Sequence, residues 1–141
     1  ELDEVPNYLI VINNQPILEQ AQRRIATMGM NRFVKQAPVL IAIVLEKANL
    51  TASLGSVIKD KEYPLLDIGI AANNICMQAA ELGLGSCILG WFDEKGLKQL
   101  LDVPEKKRIP LVISLGYSAA ITRKKIRKPL KEIVHFNSYK R

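Results

Sequence analysis

This chain has very little histidine and cysteine, the residues that most often bind transition metals. Its 141 residues include one histidine, His135, and two cysteines, Cys76 and Cys87. They form no C-x-x-C or H-E-x-x-H pattern, so the sequence offers no recognisable set of metal ligands and we predict no metal site. Both cysteines lie in apolar runs, where a free thiol usually packs as a small hydrophobic side chain. We therefore expect reduced core thiols, as is typical of a cytoplasmic protein.

Self-contained catalytic groups are equally scarce. The chain has no G-x-S-x-G elbow and no pair of carboxylates in an apolar setting. Asp67 stands alone in an apolar stretch, where a hydrogen bond in helix packing is the simplest role for it. We predict no catalytic side chain. If the protein is an enzyme, a cofactor must supply the chemistry, and the chain must bind and tune it.

Long apolar runs are missing too. The longest, Ala37 to Leu45, is too short to cross a bilayer, and no secretory signal opens the chain. We expect a cytoplasmic protein with no membrane partner.

Positive charge is plentiful by contrast, with a formal net charge of +6. Much of it lies in one basic stretch, which contains Arg123, Lys124, Lys125, Arg127, Lys128 and Lys131. Such a stretch can be a solvated face, or it can bind a phosphate or nucleic acid. Aromatic residues make up only 6% of the chain and are not interleaved with these charges. Since single-strand binding needs stacking side chains, we expect no nucleic-acid partner.

Apolar periodicity and turn residues predict alternating strands and helices in a single domain over residues 1–141. Short buried strands are predicted at Tyr8–Ile12, Pro38–Leu45, Ser86–Leu89 and Ile109–Leu115. Helical segments are predicted from Pro16 to Gly29, from Pro64 to Leu82, after an Asp93 cap, and at Pro129–Val134. The polar segment Asn49–Lys61 is predicted to be a loop.

The segment Pro64–Leu82 has almost no polar face. A helix that is apolar nearly all round is buried by its neighbours or by a second subunit, so we expect a central helix that is buried on most sides. Gly83 is predicted to end it as a left-handed cap. The sequence Gly83-Leu84-Gly85 leaves a helix and opens a strand, which is the reverse of a dinucleotide-binding glycine loop.

Two adjoining motifs carry a family resemblance. The central helix has the pattern D-x-G-x-A-x-x-N, from Asp67 to Asn74. It is followed by A-x-x-L-G-L-G-S-C-x-x-G, from Ala79 to Gly90. Further along come Leu101-Asp102-Val103-Pro104, Leu115-Gly116-Tyr117 and the run Lys125–Val134, in the expected order. This sequence resembles the nitroreductase family from about Asn7 onward.

The resemblance implies an α+β fold with a small mixed, mainly antiparallel sheet flanked by helices, and a homodimer that binds FMN. Ile88, Leu89 and Gly90 correspond to the strand end that faces the flavin, and the latter two match the backbone donors near N5 and O4. Lys125 and Arg127 match the K-x-R that binds the FMN phosphate. The family takes a hydride from NAD(P)H and reduces nitro compounds, quinones or similar small-molecule acceptors.

The family pattern also has a part that this sequence lacks. Family members begin with a helix and an R-S-x-R-like segment that binds the phosphate, and this chain begins near the first strand. We expect the domain to be incomplete at its N-terminus and to hold FMN weakly by itself. Two other functions remain open at this point, namely a different reductive reaction such as dehalogenation, and a flavin-free dimeric binding module.

Overall fold

The computed structural model describes residues 7–45, 63–119 and 124–139. In these residues an antiparallel sheet carries helices on both faces. The strands are β1 (Asn7–Ile12), β2 (Val39–Leu45), β3 (Gly85–Leu89) and β4 (Arg108–Gly116). The helices are α1 (Gln15–Ile25), α2 (Tyr63–Glu81), α3 (Glu94–Leu100) and α4 (Leu130–Ile133), with short 3₁₀ turns at Thr27–Gly29 and Arg32–Gln36. The predicted loop Asn49–Lys61 lies outside the described residues.

The strand order is β1-β2-β4-β3, and each described pair is antiparallel. The expected α+β fold with a mainly antiparallel sheet is therefore confirmed. Side chains alternate between the two faces of the sheet. One face packs against α1 and α3 through Leu18, Ile25 and Leu97, and the other packs Ile43 and Ile113 against α2. Among the described strands β3 lies at one edge of the sheet and pairs with β4 alone.

Helix α1 ends earlier than the sequence period indicated. Leu18, Ala21 and Ile25 are buried as expected, but the helix stops at Ile25 rather than continuing to Gly29. A physical reason is visible at Arg24, whose carbonyl accepts a hydrogen bond from the backbone N–H of Asp93 (2.9 Å). That long-range bond replaces the one that a longer helix would make, and the chain continues as a 3₁₀ turn.

Helix α2 is continuous, within one residue of the predicted limits. Gly83 (φ +72°) ends it as expected. Its N–H donates to the Ala80 carbonyl and the Leu84 N–H to the Ala79 carbonyl, which is the Schellman pattern. Within one chain, however, α2 buries only the stripe formed by Ile68, Ala72 and Ala79, and large apolar side chains on its other faces are exposed. The expected burial on most sides is thus not reached by a single chain.

A search of the described helices finds none that is both long enough and apolar enough to cross a membrane.

Candidate functional site

Three of the predicted site residues lie where β3 ends. The Ile88 side chain is half exposed on the α2 face, because Ile88 pairs with Ile113, while the Leu89 side chain is buried on the opposite face. Gly90 follows as an exposed residue, and a Cβ placed on it would meet no atom within 4 Å. Among the described strands β3 pairs only with β4, so alternate backbone groups of β3 point away from the sheet. This strand end therefore combines a fixed backbone with open space beside it.

The turn that follows, residues 90–93, is held from the α1 side of the fold. Asn31 donates from Nδ2 to the carbonyl of Trp91 (2.8 Å). The Arg24 guanidinium contacts the Asp93 carboxylate (3.1 Å), beside the backbone bond between the same two residues. Asp93 also accepts from the Gly96 N–H (2.9 Å), which confirms the predicted cap of α3. Neither Asn31 nor Arg24 belongs to a local motif, so sequence reasoning did not identify these two residues.

An open cleft of about 520 Å³ lies at the other end of β3. Its walls come from the start of β3, the end of β4, the residues after β4 and the second 3₁₀ turn. They include Phe33, Gln36, Ser86, Cys87, Ser114 and Tyr117. Most of these side chains are neutral, so the cleft needs charge from elsewhere to hold an anion.

The pKa of the Cys87 thiol reflects its surroundings in this wall. Partial burial raises this pKa, and electrostatic repulsion from Cys76 adds to this, while the positive charge of Lys125 acts in the opposite direction. Lys125 itself is not among the residues that line the cleft. The two thiols are free, as expected from the sequence.

Arg127, the fifth predicted residue, is placed differently. It is exposed, in a segment without regular structure, and makes no hydrogen bond or ion pair with another described residue. Within the described part of the chain, Arg127 thus has no hydrogen bond or ion pair with the other predicted site residues. A bound anion could still engage Arg127, since no carboxylate of the described residues forms an ion pair with its guanidinium.

The pKa of one described carboxylate, Glu94, is also shifted, and this residue belongs to a structural contact. Glu94 accepts two hydrogen bonds from Arg108 (2.8 and 2.9 Å) and one from the backbone N–H of Ile109 (2.8 Å). Partial burial would raise the pKa of Glu94, but these bonds outweigh it and lower the pKa below its ordinary value. Its acceptor capacity is used within the fold, so Glu94 is poorly suited to proton transfer. No cluster of three potential metal ligands occurs among residues 7–45, 63–119 and 124–139.

Comparisons with known proteins bear on the family and the fold of the chain. Residues 8–117 match the model of the nitroreductase family. A Methanothermobacter thermautotrophicus protein with the provisional name NADH dehydrogenase/NAD(P)H nitroreductase is 30% identical over 122 residues. That match covers 84% of this chain and 58% of the relative. The oxygen-insensitive NADPH nitroreductase of Helicobacter pylori is 38% identical over 71 residues, which are 50% of this chain and 34% of that protein.

Among solved structures, the FMN-dependent nitroreductase of Clostridium difficile R20291 superposes with a TM-score of 0.72 at 29% identity. The superposition covers 95% of this chain and 76% of that structure. The chain thus spans less than two thirds of the curated relatives it matches, but most of this solved fold.

Proposed function

Because this chain belongs to the nitroreductase family, we propose that it acts as an FMN-dependent oxidoreductase. NAD(P)H is the proposed hydride donor, and nitro compounds, quinones or similar small molecules are the proposed acceptors. When bound, FMN supplies the transfer of hydride and electrons between the two substrates. The chain itself has to bind the cofactor, orient it and tune it.

The observation that carries the proposal is the family match over residues 8–117, which takes in the whole of β3 and Gly90. The backbone of β3 is fixed by its pairing with β4, and an added Cβ on Gly90 would meet nothing within 4 Å. A fixed strand end beside open space suits a flat ring whose edge accepts hydrogen bonds from backbone amides.

The remaining roles follow from the chemistry of each group. Lys125 and Arg127 would bind the phosphate, Lys125 as a point charge and Arg127 through two parallel N–H groups. The backbone N–H groups of Leu89 and Gly90 would donate to the electron-rich edge of the reduced ring, which stabilises negative charge without a titrating side chain. Gly90 has no side chain to obstruct this approach. Ile88, half exposed on the neighbouring face, would pack against the cofactor.

We also propose that the chain works as a homodimer, with a second copy covering α2. Leu66, Ile70 and Met77 of this helix are exposed to 60%, 62% and 64% in one chain. A contiguous apolar surface of this kind usually marks an interface. The segment 124–139 is likewise exposed, and Ile126 and Phe136 lie open to solvent in it. A second copy of the chain that buries these side chains would cover the exposed apolar surface of both α2 and residues 124–139.

The proposed location is the cytoplasm. Both cysteines are free, which suits a reducing compartment.

The proposal is tested on the protein purified from its intact gene. We expect a yellow protein with a flavin spectrum that oxidises NAD(P)H when a nitro compound or a quinone is supplied. Activity only toward halogenated acceptors would indicate the alternative reductive reaction. Absence of any flavin uptake would refute the proposal in favour of a flavin-free binding module.

Replacement of Arg127 tests the phosphate contact. Arg127→Ala should weaken FMN binding by about 1.5–3 kcal/mol, the usual range for hydrogen bonds to a charged group. Lys131→Ala is the matched control, because Lys131 is an exposed cation of the same basic stretch outside the K-x-R. Equal FMN affinities for both variants in a fluorescence titration would show that the stretch is only a solvated basic face.

A further inference from the structure

The backbone around Gly90 is anchored on both sides, but not at Gly90 itself. On one side, the Leu89 side chain is buried in the core. On the other side, the Trp91 carbonyl accepts the 2.8 Å hydrogen bond from Asn31. Between them, Gly90 has no side chain and no neighbouring wall, since an added Cβ would meet nothing within 4 Å. Glycine is the residue with the widest backbone freedom, so the orientation of its peptide depends on these two anchors.

Asn31 is suited to this contact by its own backbone. It has left-handed torsion angles (φ 53°, ψ 28°) at the start of the 3₁₀ turn Arg32–Gln36, and its carbonyl accepts from the Val34 N–H (2.9 Å). Asparagine tolerates this conformation better than most residues, and its amide provides a donor. Aspartate has the same shape but would present an acceptor to the Trp91 carbonyl. The position therefore favours asparagine for both reasons.

The Trp91 side chain does not anchor the turn by itself, because the residue is 62% exposed. Beyond it, Asp93 is bonded to Arg24 through its backbone and its carboxylate. The Asp93 contacts fix where the turn ends. Of these contacts, the Asn31 bond is the one that acts on the Trp91–Phe92 peptide, which directly follows the Gly90–Trp91 peptide.

We propose that Asn31 is a positioning residue, which holds the backbone at Gly90, just after β3, toward the flavin without touching the flavin itself. This inference rests on the function proposed above. The physical basis of the proposed role is that one side-chain hydrogen bond limits the rotation of the peptide next to a glycine. Loss of that bond should leave the fold intact but misalign donors that stabilise the reduced ring.

The test uses variants that keep the left-handed backbone. Asn31→Gly removes the amide but accepts a positive φ, and Asn31→Asp keeps the shape while removing the donor. Asp102→Gly is the matched control. Asp102 has the same φ of 53° as Asn31, but it lies after the C-terminal end of α3, whereas the turn at residues 90–93 leads into the N-terminal end. Far-UV circular dichroism checks that each variant is folded.

The first readout needs no cofactor. Trp91 is the single tryptophan of the chain, so its fluorescence anisotropy reports directly on the turn. We expect Asn31→Gly and Asn31→Asp to lose residual anisotropy in the flavin-free protein, while Asp102→Gly matches the wild type. Unchanged anisotropy in both Asn31 variants would show that the bond does not hold the turn.

The second readout is the midpoint potential of bound FMN. We expect a shift to more negative values in both Asn31 variants, corresponding to about a tenfold loss of preference for the reduced flavin, or about 30 mV for a two-electron couple. A mobile turn with an unshifted potential would overturn the positioning role while leaving the proposed function intact. A wild-type protein that takes up no FMN would overturn the proposed function, and the flavin role of Asn31 with it.

Discussion

Replacement of Glu94 offers a quantitative test of what holds α3 against β4. The Glu94 side chain is 24% exposed and accepts from Arg108 and from the N–H of Ile109, a residue that is almost completely buried. The Arg108 side chain is 65% exposed, so solvent screening limits the ion pair to about 0–1 kcal/mol. The bond to the Ile109 N–H matters more, because a buried donor left without a partner costs about 1–3 kcal/mol.

Two substitutions of Glu94 separate the ion pair with Arg108 from the hydrogen bond of the Ile109 N–H. Glu94→Gln keeps an acceptor for the Ile109 N–H and loses the charge, so it should lower the free energy of unfolding by about 1 kcal/mol at pH 7. Glu94→Ala removes the acceptor as well and should lower it by about 2–3 kcal/mol. Glu105→Gln is the control, since Glu105 is an exposed carboxylate in the same region whose side chain makes no hydrogen bond with any described residue.

The charge contribution should also depend on pH. The folded-state pKa of Glu94 lies below its ordinary value of about 4.3, so this contribution is fully present above that value. It is lost as the pH falls through the folded-state pKa. In urea titrations followed by circular dichroism, the difference between wild type and Glu94→Gln should be constant from pH 7 to pH 5 and shrink below about pH 4. A difference that stays constant at acid pH, or a Glu94→Gln variant as stable as Glu105→Gln, would refute the assignment.

Two further predictions concern α2. Ile70→Lys places a charge on the exposed apolar face, so it should convert the proposed homodimer to a monomer in sedimentation velocity runs, whereas the exposed Glu81→Lys on the same helix should not. A wild-type protein that sediments as a monomer at micromolar concentration would contradict the dimer. Gly83→Ala should destabilise the fold by about 1–2 kcal/mol, because the left-handed φ of +72° disfavours a Cβ. Gly83→Asn should cost less in the same urea titration, since asparagine tolerates this conformation, and equal losses would point to a cause other than φ.

Features of the fold that depend on neighbouring residues could be predicted from the sequence. Runs of β-branched residues identified β2 and β4 because such side chains favour the extended backbone wherever they occur. Gly83 identified the end of α2 because few other residues adopt its backbone conformation. The family motifs around Asp67 and Gly90 depend on local spacing in the same way, and the family match over residues 8–117 agrees with them.

The limits of α1 and the burial of α2 could not be predicted in this way. The apolar period continued to Gly29, but the Arg24 carbonyl is taken by Asp93, 69 residues away. The period of α2 predicted an apolar surface correctly, but it contained no information on how much of that surface one chain covers. Burial depends on what packs against a helix, and one sequence pattern fits a neighbour or a second copy equally well.

Part of the candidate site could likewise be predicted from the sequence, and part of it only from the tertiary structure. The sequence alone determined that Gly90 follows a strand and that Lys125 and Arg127 form a basic pair, since both statements concern residues that are close together in the sequence. Only the tertiary structure decided that Asn31 holds the Trp91 carbonyl across 60 residues of chain. Such contacts leave no periodic or local signal, because they arise only when separate elements pack and bring distant polar groups within hydrogen-bond distance.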